Sequence, residues 1–132
     1  MSPRKVRPPV ILVVEDVEET RDVMKLMLER SGYRVCTARD EAEGVLMARL
    51  RSPGLILMSL ALEASDIAAM GRRIRKMAHL GGEVPIVVFC VPSLAEGEER
   101  SIGCQTYLAR PNNFDQLRQL LRQLVRGLPE AG

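Results

Sequence analysis

Aromatic residues are scarce in this chain, with no Trp, two Tyr and two Phe among 132 residues. Stacking platforms for single-stranded nucleic acid are therefore not expected. Histidine occurs once, as His79, and the three cysteines, Cys36, Cys90 and Cys104, are odd in number and far apart, with no CxxC or Cys/His cluster. That pattern argues against zinc and against a disulfide framework, and for a reducing compartment. No apolar run reaches the length of a membrane span, and the amino terminus lacks an apolar signal core. A cytoplasmic protein with no membrane partner is the expectation. Net charge is only +2, so bulk electrostatics selects no partner.

Apolar residues make up 46% of the chain and charged residues 27%, values of an ordinary globular protein rather than a disordered one. The length suits one domain with a real core. Residues 1–9 carry three prolines with Arg4, Lys5 and Arg7, and read as an extended basic lead-in. Three charges leave a small phosphate footprint, so nucleic acid is not the expected partner. Residues 10–128 read as the domain, and 129–132 as a tail or the start of a linker.

The stretch Leu-Ile-Leu-Met-Ser-Leu at 55–60 organises the rest. It is nearly all apolar, of strand length, and preceded by Pro53-Gly54, which fits a strand covered on both faces. Residues 10–14 and 84–91 are similar runs, 33–38 reads as a strand, and 105–109 as a short fifth one. Helices are expected between them at about 18–31, 40–52, 66–79, 93–102 and from 113 onward. In the first, Val23, Leu26, Met27 and Arg30 share a face, widened by Met24 and Leu28; in the second, Ala42, Val45, Leu46, Arg49 and Leu50 do. Ile67, Met70, Ile74 and Met77 mark the buried side of the third. Capping-box spacings occur at Asp40/Glu43, Ser93/Glu96 and Asn113/Gln116. Leu117, Leu120, Leu121, Leu124, Val125 and Leu128 form the clearest helical stripe. Strand and helix alternate five times, which predicts an α/β fold with a doubly wound, flavodoxin-like five-stranded parallel sheet, order 2-1-3-4-5, and five helices.

Ligands and chemistry sit at the carboxyl edge of such a sheet. The strand ends there bring Glu15 and Asp16, Ser59, Cys90 and Arg110. Together with Val-Val-Glu-Asp-Val-Glu-Glu, Ser-Gly-Tyr-Arg-Val, Val-Pro-Ile-Val-Val-Phe and Tyr-Leu-Ala-Arg-Pro, this set resembles the receiver domain of bacterial two-component response regulators, over about residues 10–128. The resemblance implies an acidic pair for Mg²⁺ at Glu15 and Asp16. It places the phosphoacceptor aspartate at Ser59, the Thr or Ser of the fourth strand at Cys90, and the lysine of the fifth at Arg110. Tyr107 matches the switch aromatic. Asp66 matches an acidic residue after the third-strand loop and is not the acceptor.

The departures carry the functional expectation. A serine hydroxyl needs a neighbouring base to act as a nucleophile, and His79 belongs toward the far end of its helix. Loss of the aspartate also removes a carboxylate from the Mg²⁺ set, so no cofactor is expected and any Mg²⁺ binding at Glu15 and Asp16 should be weak. A direct pair between Arg110 and Asp16 or Glu15 is one way to replace the metal. Glu15 and Asp16 also suit the amino terminus of the following helix. Cys90 is expected as a small buried residue, with a reactive thiol activated by Arg110 as the alternative. The reading is a non-phosphorylatable pseudo-receiver, not an enzyme, acting through a protein partner such as a kinase, an output domain or another signalling protein. The expected docking or homodimer face combines the fourth helix, Tyr107 on the fifth strand, and Arg118, Arg122 and Arg126 on the last helix. A small-molecule or nucleotide binder using the carboxyl edge is the alternative, disfavoured because no glycine-rich phosphate loop follows the first strand. A hydrolase using Ser59 lacks a visible base.

Overall fold

The computed structural model describes residues 8–125; the lead-in cations Arg4, Lys5 and Arg7, Arg126 and Leu128 of the expected last helix, and the tail 129–132 lie outside the described residues. The elements are β1 (Val10–Glu15), α1 (Glu18–Arg30), β2 (Arg34–Ala38), α2 (Glu41–Arg51), β3 (Leu55–Ser59), α3 (Ala64–Met77), β4 (Ile86–Val88), β5 (Glu99–Ser101), β6 (Thr106–Ala109) and α4 (Phe114–Leu124). The sheet order is β2-β1-β3-β4-β6-β5. All neighbours are parallel except β5, which runs antiparallel to β6. The order reverses between β1 and β3, which places the ligand edge at their carboxyl ends.

Every side chain of β1 is buried, and Leu55 to Met58 of β3 are fully inaccessible. Alternation along these strands feeds two cores. Ile11, Val13, Leu55 and Leu57 meet Met24 and Leu28 of α1 and Leu117, Leu120 and Leu121 of α4 on one face. Leu12, Val14, Ile56 and Met58 meet Ala48 of α2 and Ile67, Ala68 and Ile74 of α3 on the other. The caps read at Asp40 and Asn113 are present: their side-chain oxygens accept from Glu43 N and Gln116 N, both at 2.9 Å.

The apolar stripes expected on the first two helices are buried only in part: Met24 and Leu28 of the first pack on the sheet and Val45 of the second packs on the core. On α1 the sheet-facing residues are Met24 and Leu28, while Val23 and Leu26 are exposed. On α2 they are Gly44 and Ala48, while Leu46 and Leu50 are exposed. Close packing explains α2. A Cβ on Gly44 would lie 2.9 Å from Ile74 Cδ1, so small residues let α2 approach α3 and the larger ones turn outward.

The fourth expected helix, 93–102, is absent, so the sheet gains a sixth strand and the fold has four helices. Gly97 adopts φ +82° and its amide donates to the Arg110 carbonyl at 2.6 Å. Its own carbonyl accepts from Gln116 Nε2 at 3.0 Å. The chain is thereby drawn along β6 as an edge strand instead of coiling over the sheet. Glu98 caps the preceding turn, its Oε1 accepting from Ala95 N at 2.9 Å, in place of the Ser93/Glu96 box. Val91 and Leu94 join the core that a helix would have filled. Arg75 completes this side: it is buried, and its Nη1 donates to Val84 O at 2.9 Å and Cys104 O at 3.0 Å.

Candidate functional site

The parallel register places Glu15 directly opposite Ser59 at the ends of β1 and β3. Glu15 is only 4% exposed. Its Oε2 accepts from Val17 N at 3.0 Å, so it does serve the start of α1. Arg21 Nη1 reaches back to the Glu15 carbonyl at 2.9 Å, a contact the sequence did not announce. Burial pushes the Glu15 carboxyl above its ordinary value, against the Val17 amide, and the nearby Asp16 pushes it further; the Ser59 hydroxyl favours the charged form. Ser59, half-buried, therefore faces a carboxylate after all, where the sequence reading found no base.

Arg110 does not pair with this acidic corner. Its Nη1 donates to Leu94 O at 2.9 Å and more weakly to Pro92 O at 3.4 Å. Those carbonyls are left by the irregular segment after β4, which has no helix to use them, and a guanidinium is well suited to collect them. Cys90 also departs from expectation. It lies two residues past the end of β4, is exposed, and holds φ +62°. Desolvation against the strand ends is the main cause that pushes its thiol up, the Glu15 carboxylate adds to this, and Arg110 opposes it. Arg110 therefore does not activate the thiol, because desolvation, with the Glu15 carboxylate adding to it, outweighs the guanidinium.

The fit to a divalent cation is poor. The corner offers two carboxylates and a neutral hydroxyl, and one Glu15 oxygen is already engaged by the Val17 amide. Among the described residues no group of three or more His, Cys, Asp or Glu side chains converges for a metal. Hard cations favour several free carboxylate oxygens.

The other predicted residues are dispersed. Tyr107 is half-buried on β6, opposite Ser101 of β5, and its hydroxyl donates to Gln105 Oε1 at 3.0 Å. Arg118 is ion-paired with Asp115 at 2.6 Å within α4. Arg122 is exposed, and both arginines are close enough to Tyr33 to favour its phenolate against burial. Asp66 is brought instead to an open cleft of about 550 Å³ between the start of α3 and the segment after β4, which Cys90 also lines. The cleft was not foreseen, because it forms between the connections after β3 and after β4, which apolar patterning does not place.

Residues 11–122 match the family model of the response regulator receiver domain. The chain belongs to that family. This receiver is 30% identical over 118 residues to the KDP operon transcriptional regulatory protein KdpE of Escherichia coli, covering 88% of this chain and 51% of KdpE. It is 30% identical over 122 residues to the sensor histidine kinase AruS of Pseudomonas aeruginosa, covering 90% of this chain and 12% of AruS. The chain thus spans about half, or less, of these curated relatives. Among solved structures it is similar to the receiver domain of a sensor histidine kinase from Pseudomonas aeruginosa PAO1, with a magnesium ion coordinated in that protein's active-site cleft. The TM-score is 0.64 at 26% identity, covering 89% of this chain and 98% of that one. The fold is CheY-like, as the order of the five parallel strands requires.

Proposed function

We propose that this receiver does not accept a phosphoryl group and works as a protein-interaction module of a bacterial two-component or phosphorelay system. The observation that carries the reading is Ser59 at the end of β3, opposite Glu15, at the position where the resemblance places the acceptor aspartate. A hydroxyl in that place lacks the standing charge of a carboxylate, and Glu15 beside it repels an incoming phosphoryl oxygen. Two further features support the reading: Arg110 is turned to backbone carbonyls, and the acidic corner offers a poor Mg²⁺ set. The module acts through a kinase, an output domain or another signalling protein and has no catalytic role of its own. Its docking face includes Tyr107, Arg118 and Arg122, with the β5 edge standing where a fourth helix was expected. A homodimer through this face belongs to the same proposal.

The test is an amide NMR titration with Mg²⁺ and then beryllium fluoride. Wild type should stay silent at Glu15, Asp16, Ser59 and Tyr107. Ser59→Asp should respond at those positions. A saturable response of the wild type would overturn the proposal.

A further inference from the structure

Of the apolar residues that line the cleft beside Cys90, Leu60 and Leu62 are accessible, whereas Ile67, Phe89 and Val91 are buried. Leu62 is 54% exposed there. Glu63 and Asp66 line the same cleft, and neither is ion-paired among the described residues. The α3 amino terminus offsets part of their charge, but a helix end carries only about half a positive charge against two carboxylates. The Glu15 carboxylate adds to the negative field at Cys90. Of the cations nearby, Arg110 is committed to the Leu94 and Pro92 carbonyls, and Arg73, which feels the Asp66 charge, is committed to the Glu41 carboxylate.

A small molecule is normally oriented by a few fixed polar groups inside its pocket. Here Glu63, Asp66 and Cys90 all belong to exposed residues, and the walls between them are apolar. That is the anatomy of a protein interface, with an apolar centre and a charged rim. We propose that this cleft docks a short basic amphipathic segment of a partner protein, its apolar side chains on Leu60 and Leu62 and its Lys or Arg side chains on Glu63 and Asp66. The inference rests on the reading of the chain as an interaction module and names the chemistry of the partner.

The experiment is an amide NMR titration of the full chain with synthetic helical peptides built from Leu and Lys, from Leu and Glu, or from Ser and Lys, and with hexylamine. Only the Leu/Lys peptide should give saturable shifts, centred on residues 60–67 and 88–92. Removing both rim charges in Glu63→Gln/Asp66→Asn should weaken that binding about tenfold, with the loss shrinking as salt is raised. Leu62→Ser, at an exposed position, should weaken it about fivefold without lowering the melting temperature. Equal binding of the Leu/Glu peptide, shifts centred on another face, indifference to the charge variants, or hexylamine binding as tightly as the peptide would each overturn the inference. Mg²⁺ and beryllium fluoride added to the same samples separate the two proposals. A wild-type response to them defeats the non-phosphorylatable reading, whereas silence there without peptide binding defeats the cleft alone.

Discussion

On one side of the sheet, β2, β1 and β3 run five, six and five residues, and each is reached from the last through a helix. On the other side β4, β6 and β5 run three, four and three residues, and β4 is joined to β5 without a helix. The first half is fixed by long-range parallel pairing between two helix layers. The second is held by loop side chains, Val91 and Leu94, and by arginines that collect stray carbonyls, Arg75 at one end and Arg110 at the other. The frame that defines a receiver is thus intact where Glu15 meets Ser59 and rebuilt where Cys90 and Arg110 lie.

Core deletions are the strongest way to break this comparison. Leu57→Ala, at a fully buried site of β3, should cost about 2–5 kcal/mol in denaturant unfolding. Leu94 is 2% exposed on the loop side, and Leu94→Ala should cost about 2–3 kcal/mol if that loop is packed as a core element. A cost below about 1 kcal/mol would show that the second half is loosely held. Arg75→Met keeps the apolar stem but abandons the Val84 and Cys104 carbonyls, and should cost about 2–3 kcal/mol. Amide exchange should then rise at β4 and β6 before β1.

The helix layer on the regular side can be sharpened with two glycines. A Cβ on Gly71 would stand 2.7 Å from Ile86 Cγ2 and 2.8 Å from Met58 Sδ, both set by the sheet. Gly71→Ala should therefore destabilise by about 1–3 kcal/mol. Gly44→Ala meets only the mobile tip of Ile74, and the gain in helix propensity, about 1 kcal/mol, should nearly cancel the crowding. Equal melting temperatures for the two variants would contradict this.

The smallest effect concerns Glu15. Its folded-state pKa is raised by burial above the ordinary 4.5, so its ionisation opposes folding. Wild-type stability should rise as pH falls from neutral through that raised pKa toward 4.5. Glu15→Gln keeps an acceptor for the Val17 amide and carries no charge. It should be more stable than wild type at pH 7 by about 1 kcal/mol, with the advantage shrinking on acidification and gone below 4.5. An advantage that grew toward low pH would reverse the assignment.

The regular half was the legible one. Continuous apolar runs identified β1 and β3, and capping spacings identified the starts of α2 and α4, because these signals are local and agree with the tertiary packing. The apolar face of α2 was misread because the burial of Gly44 is set by its partner Ile74 rather than by its own hydrophobicity, while on α1 the residues that pack are those at the edge of the stripe, Met24 and Leu28. The segment 93–102 had a helix-like cap but only Leu94 and Ile102 as apolar positions, with Gly97 between them. That thin pattern was the available signal that no helix forms. At the site, the Glu15–Ser59 juxtaposition followed from strand register, which apolar patterning specifies. The direction of Arg110 did not, since it depends on which carbonyls an irregular loop leaves free.

The antiparallel β5 edge also bears on how copies of this chain behave when crowded. Glu98, Arg100 and Ile102 pair with Arg110 just past β6 and with Leu108 and Thr106 of β6, so the backbone groups of Glu99 and Ser101 point outward. Two copies joined edge to edge about a two-fold axis set Arg100 against Arg100 or Glu99 against Glu99, unless the axis passes at Ser101, where no like charges meet. Like charges in opposing positions disfavour either register. The strand that closes this half of the sheet thus narrows edge-to-edge pairing of two copies to the register centred on Ser101.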